Sequence, residues 1–250
     1  MNRDAQSFRD LVVRILVIDG SGGDGTLALV EHAPEGPRLL RQAGQPGRGG
    51  AEALPGLLRE MLRSAGWEIG SLGLIAAVTG PGSFTGLRAT LALAHGLALG
   101  TGVPLQGVAA PEALRRTLSD SYAGADAPAH GSAARLPSMP IWCVGMARRD
   151  RVFLDRGQAS GPEAFMLDAL PLPEQPVLLA GDASVPVAAR IGQAGGVACR
   201  SGIERPDARA IAMIALDRHE GRLPPCAALP LYVDAPETKR PASGLRASPS

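Results

Sequence analysis

At 250 residues the chain is long enough for one large or two small domains with cores of their own. Its 25 basic and 24 acidic residues nearly cancel and aromatics make up only 3%, which argues against tight, autonomous RNA binding and against base-stacking platforms. The cysteines Cys143, Cys199 and Cys226 are odd in number and contain no Cys-x-x-Cys pair, so neither a disulfide scaffold nor a zinc site is expected and a reducing cytoplasm is the default.

Residues 1–11 are polar and charged and read as a loose leader without signal-peptide or lipidation features. Leu11 to Ile18 predicts a strand ending at Asp19, Ser21 to Gly25 a turn, Thr26 to Val30 a second strand and Arg38 to Arg41 a third. Asp19 reads most simply as a turn-initiating Asp bonding its own backbone, since a lone carboxylate makes no metal site. Gly44 to Gly50 predicts a loop. A helix follows over about 51–65, with Leu54, Leu57, Leu58, Met61 and Leu62 on one apolar stripe and Pro55 near its start.

Leu74 to Val78 is a short apolar run suited to a strand buried on both faces. It leads into Thr79-Gly-Pro-Gly-Ser-Phe-Thr-Gly-Leu-Arg88, a Gly-rich turn opening a helix from Phe84 to about Leu99 that Gly100 and Gly102 stop. No Lys follows the glycines, the spacing is one residue too long for the dinucleotide fingerprint, and Ser83 is not centred in Gly-x-Ser-x-Gly. Local chemistry leaves two readings open: a tight structural turn, or an anion or nucleotide loop using Asp19, Gly82, Ser83, Thr85 and Gly86.

The helix after Phe84 is apolar or small nearly all round, so something besides its own sheet must cover it. Ala92, Gly96 and Gly100, four apart, form a smooth strip for close helix approach. The expected partner face comprises Phe84, Arg88, Leu91, Ala92, His95, Gly96 and Leu99, joined by Leu58 and Leu62 of the preceding helix. Arg88 lies in the first turns, where the helix dipole disfavours a cation, which suggests a carboxylate or phosphate partner. With Arg88, Thr90 and His95 inside it, this helix reads as buried in protein rather than spanning a membrane.

Val103 to Val108 predicts a strand and Ala110 to Leu118 a short helix. Ser119 to Pro140, rich in Ala, Gly, Ser, Asp and Pro, reads as a linker or mobile loop. The second half begins again with strands at Ile141 to Met146 and Arg151 to Asp155. A helix over Pro162 to Leu170, a strand over Val177 to Ala180, a helix over Val185 to Ile191 and a strand over Val197 to Cys199 follow. Pro206 to Gly221 is the last helix. Residues 236–250 have the composition of a disordered tail.

The run Gly80 to Arg88, followed by Gly96-Leu-Ala-Leu-Gly100 and Pro104-Leu-Gln-Gly-Val108, resembles the bacterial TsaB family. Weaker similarity extends from about Ile15 to Tyr232, with Pro230-Leu-Tyr-Val-Asp234 resembling the family's closing segment. The chain has Arg48-Gly49-Gly50, Met146 and Asp234 where the family often has other residues. The resemblance implies an α/β fold of two ribonuclease-H-like domains with actin-like (sugar kinase and heat-shock ATPase) architecture. The division would be 12–118, a linker at 119–140, and a smaller second domain at 141–235 whose helix 206–221 crosses back. The opening hairpin resembles that of actin-like ATPases, which handle phosphate and metal there. It implies a non-catalytic dimerisation subunit of the machinery that places threonylcarbamoyl on the adenosine beside the tRNA anticodon. The chain would pair with a TsaD-like catalytic paralogue, work with a TsaE-like ATPase and meet tRNA through the complex. It would need no cofactor of its own, ATP and metal being used by the partners. Catalytic relatives carry His-x-x-x-His, which this chain lacks. The rival readings are an actin-like ATPase or peptidase-like enzyme using the Gly80 to Gly86 loop, and a homodimeric scaffold.

Overall fold

The computed structural model describes residues 12–45, 50–123, 138–148 and 150–233. The chain forms two five-stranded mixed sheets of the same topology, consistent with two ribonuclease-H-like domains in an actin-like fold. The first sheet contains β1 (Val13–Asp19), β2 (Gly25–Ala33), β3 (Gly36–Gln45), β4 (Leu74–Gly80) and β5 (Leu105–Ala109), in the order β3-β2-β1-β4-β5. β1, β4 and β5 run parallel, with Ile15 opposite Leu74 and Ile75 opposite Leu105, and β2 is antiparallel to both its neighbours.

Each central strand of this sheet is apolar on both faces because helices cover both. Leu16, Ile18, Leu27, Leu29, Ile75 and Ala77 face α1 (Gly50–Ala65) and α2 (Phe84–Thr101). Ile15, Val17, Ala28, Val30, Ala76 and Val78 face α3 (Ala110–Ala123) and α5 (Ala208–His219). Thus α5 follows the second sheet in sequence but packs on the first, with Ile211, Ala212, Ile214 and Ala215 in the core there.

The second sheet is built from β6 (Ile141–Met146), β7 (Arg151–Asp155), β8 (Glu163–Met166), β9 (Val177–Ala180) and β10 (Ala198–Arg200), in the order β8-β7-β6-β9-β10. One face packs Trp142, Val144, Val152, Leu154 and Leu179 on Ala183, Val187 and Ile191 at α4 (Ser184–Gln193). The opposite face approaches α3, where the Cys143 thiol donates to the Pro111 carbonyl. The guanidinium of Arg115, also on α3, meets the Asp155 carboxylate at 2.5 Å and the Asp155 carbonyl at 3.0 Å, tying the two sheets together.

Several expectations change. The helix expected over 162–170 is instead β8 followed by a single 3₁₀ turn, Leu167–Ala169. β8 pairs antiparallel with β7, Val152 opposite Phe165, so an edge-strand ladder overrides a short apolar run of ambiguous period. The third strand covers Gly36–Gln45 rather than four residues and absorbs Gly44 and Gln45 from the expected loop. The helix expected to stop at Leu118 continues to Ala123, where the Ser119 and Ser121 hydroxyls donate back to the Arg115 and Leu118 carbonyls. The leader, Arg48 and Gly49, most of the expected linker, Asp234 and the tail lie outside the described residues.

Candidate functional site

The Gly-rich turn rests on the β1–β2 turn at atomic contact. A Cβ on Gly82 would meet the Ser21 carbonyl, and one on Gly86 the Gly20 carbonyl; the Ser83 N–H donates to Ser21 O at 2.8 Å. Glycine is needed at these two positions for backbone-to-backbone approach. The Ser83 hydroxyl caps α2, accepting the Gly86 N–H at 3.2 Å, and the Thr90 hydroxyl returns to the Gly86 carbonyl at 2.9 Å. Of the expected anion loop, Thr85 is exposed, whereas Gly82, Ser83 and Gly86 are engaged in this packing. Asp19 holds the N–H and hydroxyl of Ser21 at 2.8 and 2.7 Å, the geometry of a turn-initiating Asp. Burial of its carboxyl pushes its pKa up, against the hydrogen bonds from Ser21 and the charge of Arg205, which pull it down.

The expected partner face divides into three parts. Leu58, Leu62 and Leu91 are in the first domain's own core, each under 8% exposed, which removes them from any open surface. Periodicity marked Leu58 and Leu62 as part of a buried stripe and composition marked the helix of Leu91 as buried; it is their own sheet that covers them. Ala92, His95, Gly96, Leu99 and Gly100 are exposed, Leu99 at 87%. Within the described chain nothing approaches a Cβ built on Gly96 or Gly100. Ala92, Gly96, Leu99 and Gly100 therefore make an uncovered apolar strip on α2, with His95 beside them bonded to Ala228 O. Phe84 and Arg88 continue the same helix face but turn into the cleft between the sheets.

That cleft has a volume of about 830 Å³. Ser21, Gly22 and the start of α2 form one wall; Met146, Ala147, Arg148, Phe153 and Asp182 form the other. Leu231, Tyr232 and Val233 run along its mouth. The Arg88 guanidinium lies 3.8 Å from the Phe84 ring centroid, and its Nε donates to the Tyr232 hydroxyl at 2.8 Å. The Phe84 and Tyr232 rings sit 5.7 Å apart, tilted, and each is 49% exposed. The partner expected for Arg88 is thus aromatic and phenolic within the described chain, not a carboxylate. Across the cleft Asp182 accepts the Met146 N–H at 2.7 Å.

Sequence reasoning missed the role of the C-terminal segment. The Gly107 N–H donates to Cys226 O, the His95 Nε2 to Ala228 O at 2.8 Å, and the Leu231 N–H to Thr79 O at 2.8 Å. Residues 226–232 form a strap across the ends of β4 and β5 and along α2. The contacts span more than a hundred residues of sequence, so no local period reports them; the Pro-x-Tyr signature at Pro230 was the available signal.

Among the described residues no three of His, Cys, Asp and Glu are grouped to hold a metal ion. Burial pushes the Cys143 thiol up to about 12, so it is not an activated nucleophile. No helix of the described residues is long and apolar enough to cross a membrane.

Residues 47–128 match the sequence profile of tRNA N6-adenosine threonylcarbamoyltransferase, TsaD. Curated relatives of that name include one from Maricaulis maris, 45% identical over 74 residues, 30% of this chain and 19% of that protein. A second, from Cereibacter sphaeroides, is 41% identical over 102 residues, 40% of this chain and 27% of that protein. The chain therefore spans about a fifth to a quarter of the length of these relatives. Among solved structures, a Pseudomonas aeruginosa protein described as similar to the peptidase YeaZ superposes with a TM-score of 0.62 at 20% identity, covering 89% of this chain and all of that one. YeaZ from the same organism gives 0.60 at 20% identity over 88% of this chain and 99% of that one. At that identity the likeness is one of fold. The chain is thus similar in sequence to the threonylcarbamoyltransferases over residues 47–128, and similar in fold to YeaZ over nearly its whole length.

Proposed function

We propose that this chain is a non-catalytic subunit of the tRNA threonylcarbamoyladenosine machinery that binds and supports a TsaD-like paralogue. The observation that carries this reading is the bare strip on α2: Ala92, Gly96, Leu99 and Gly100 present small and apolar surface that no described part of the chain covers. Small residues four apart allow a partner helix to approach closely. Burying a few hundred Å² of apolar surface there at ~25 cal/mol/Å² would contribute several kcal/mol. A TsaE-like ATPase would complete the complex, tRNA would be reached through it, and ATP and metal would be used by the partners. The cytoplasm is the compartment this role requires.

The test is co-purification with the TsaD of the same organism, comparing wild type with Ala92→Glu and Gly96→Glu. Both sites are exposed, so the isolated variants are expected to fold; replacing Gly96 should also favour the helix. A carboxylate desolvated in the strip is expected to weaken association by at least about a hundredfold. Absence of wild-type binding, or full binding by both folded variants, would overturn the reading. Self-association through the strip, seen by sedimentation of the pure chain and lost in the same variants, would instead identify a homodimeric scaffold.

A further inference from the structure

We infer that the cleft between the two sheets is occupied by the chain's own residues 234–240, with the Asp234 carboxylate on the Arg88 guanidinium and the Lys239 ammonium on Asp182. This concerns the isolated chain and does not rest on the partner reading.

The strap delivers the following residues to the cleft. The Leu231 N–H is bonded to Thr79 O, the Tyr232 hydroxyl accepts the Arg88 Nε–H, and Leu231, Tyr232 and Val233 line the mouth. Residues 234–250 continue from that fixed point. A segment tethered there reaches the cleft without a bimolecular encounter, so individually weak contacts suffice to seat it. Six residues of extended chain span roughly 20 Å, so Lys239 can cross from Val233 to the opposite wall of a cleft of about 830 Å³.

The charges on the two sides are complementary. Arg88 stands in the first turns of α2, where the helix dipole disfavours a cation, and no carboxylate among the described residues pairs with it. Residues two apart in an extended segment project to the same side. Asp234 lies two past Tyr232, whose hydroxyl already touches Arg88, so its carboxylate reaches the terminal N–H groups while Tyr232 keeps Nε. On the other wall Asp182 is exposed and accepts the Met146 N–H, with no cation paired to it among the described residues. Lys239 is the only lysine in the chain, a compact ammonium on a flexible stem that suits a single carboxylate. The lining cations Arg88 and Arg148 and the lining carboxylate Asp182 thus face a segment that carries Asp234 and Glu237 before Lys239. Between the charges, Ala235 and Pro236 are apolar, as is the lining at Met146 and Leu231, which are 42% and 37% exposed. The fixed φ of Pro236 lowers the entropy lost on seating.

The test is zero-length cross-linking of the full chain with a water-soluble carbodiimide at low protein concentration, read by peptide mapping. Lys239 supplies the only side-chain amine, so each link reports where that amine sits. Asp182 is expected to be the main acceptor, by at least about tenfold over Asp168 and Glu204, which are exposed outside the cleft. Asp234→Arg sets two guanidiniums together and should cut the Asp182 link about tenfold. Arg88→Glu alone should do the same, and Arg88→Glu combined with Asp234→Arg should restore the link, which a merely unfolded variant would not. Should the Arg88 variants melt early, Asp234→Arg carries the test. Links spread evenly over exposed carboxylates, or an Asp182 link indifferent to Asp234→Arg, overturn the proposal. A Lys239–Asp182 link found only between two chains and rising with protein concentration also overturns it, in favour of exchange of the segment between copies. No partner protein enters the measurement, so its failure is separable from failure to capture TsaD.

Discussion

The two sheets share a strand order and differ in what lies between the strands. In the first, a 16-residue helix joins the third strand to the fourth, and an 18-residue helix follows the fourth. In the second, the corresponding connections are a three-residue 3₁₀ turn and the ten-residue α4. The strands follow suit: the first sheet's run from five to ten residues, the second's from three to six. The first sheet is covered on both faces by its own and borrowed helices, and one of those helices still has a bare apolar strip. The second has α4 on one face and shares α3 on the other. The duplicated topology therefore supports two different tasks: one copy builds a surface, and the other closes a cleft against it with Met146, Phe153 and Asp182.

The sharpest test of that asymmetry is a pair of truncations in equivalent strands. Ile75 in β4 and Leu179 in β9 are both fully buried. Ile75 lies in a core enclosed by α1 and α2, whose length and mutual packing resist collapse around a cavity. Leu179 faces one short helix and a turn, which can settle into the space. Ile75→Ala is expected to cost about 4 kcal/mol and Leu179→Ala about 2 to 3 kcal/mol by urea denaturation. Equal costs would mean the two cores are equally rigid, against the comparison.

The next effect probes what joins the halves. Arg115 reaches from α3 to the end of β7, and Asp155 there is nearly buried, its other bond coming from the Gly157 N–H. Arg115→Ala leaves that carboxylate under-satisfied and is expected to destabilise the chain by about 2 kcal/mol. Between β10 and α5, Arg205 meets Asp24 of the β1–β2 turn at 3.5 Å with more than half of its side chain exposed. Arg205→Ala is expected to change stability by less than about 0.5 kcal/mol. A larger effect at Arg205 than at Arg115 would move the joint from α3 to the segment before α5.

The physical reason some of this was legible in the sequence, and some not, follows from the same asymmetry. Long, regular elements announced themselves: Leu54 to Leu62 by period, Leu74 to Val78 by a continuous apolar run, and α2 by composition. The weak half misled where elements were short: Glu163–Met166 is too brief for a period to separate strand from helix, and its pairing with Arg151–Asp155 decides the matter. Periodicity also told that Leu58 and Leu62 are buried, and composition that the helix of Leu91 is, without telling against what. The cleft was invisible for a different reason. Phe84, Arg88 and Tyr232 are up to 148 positions apart in the numbering and meet because the strap returns across α2, while Phe153 lines the opposite wall from β7. A Gly-rich turn drew attention to itself as an anion loop, yet Gly82 and Gly86 are explained by contact with Ser21 and Gly20, and the nearby cation, Arg88, donates its Nε to Tyr232.

A further small effect bears on the end of the first strand. Asp19 closes β1 and bonds Ser21, and burial holds its carboxyl pKa above the ordinary value. The sign follows directly. A folded carboxyl with a raised pKa binds its proton more tightly than the unfolded chain does, so between the two pKa values the folded state carries more protons and stability falls as pH rises. At neutral pH the ionised group is a net cost. Asp19→Asn keeps an oxygen to accept from Ser21 and removes the charge, so it is expected to stabilise the chain slightly at pH 7, by under about 1 kcal/mol, with the gain shrinking as the pH is lowered through the carboxylate range. Thermal melts of both proteins from pH 3 to pH 8 would measure it. An Asn variant less stable at neutral pH, with the gap closing in acid, would instead mean that the charge at Asp19 is held by a favourable partner, and would return this position to the list of functional carboxylates.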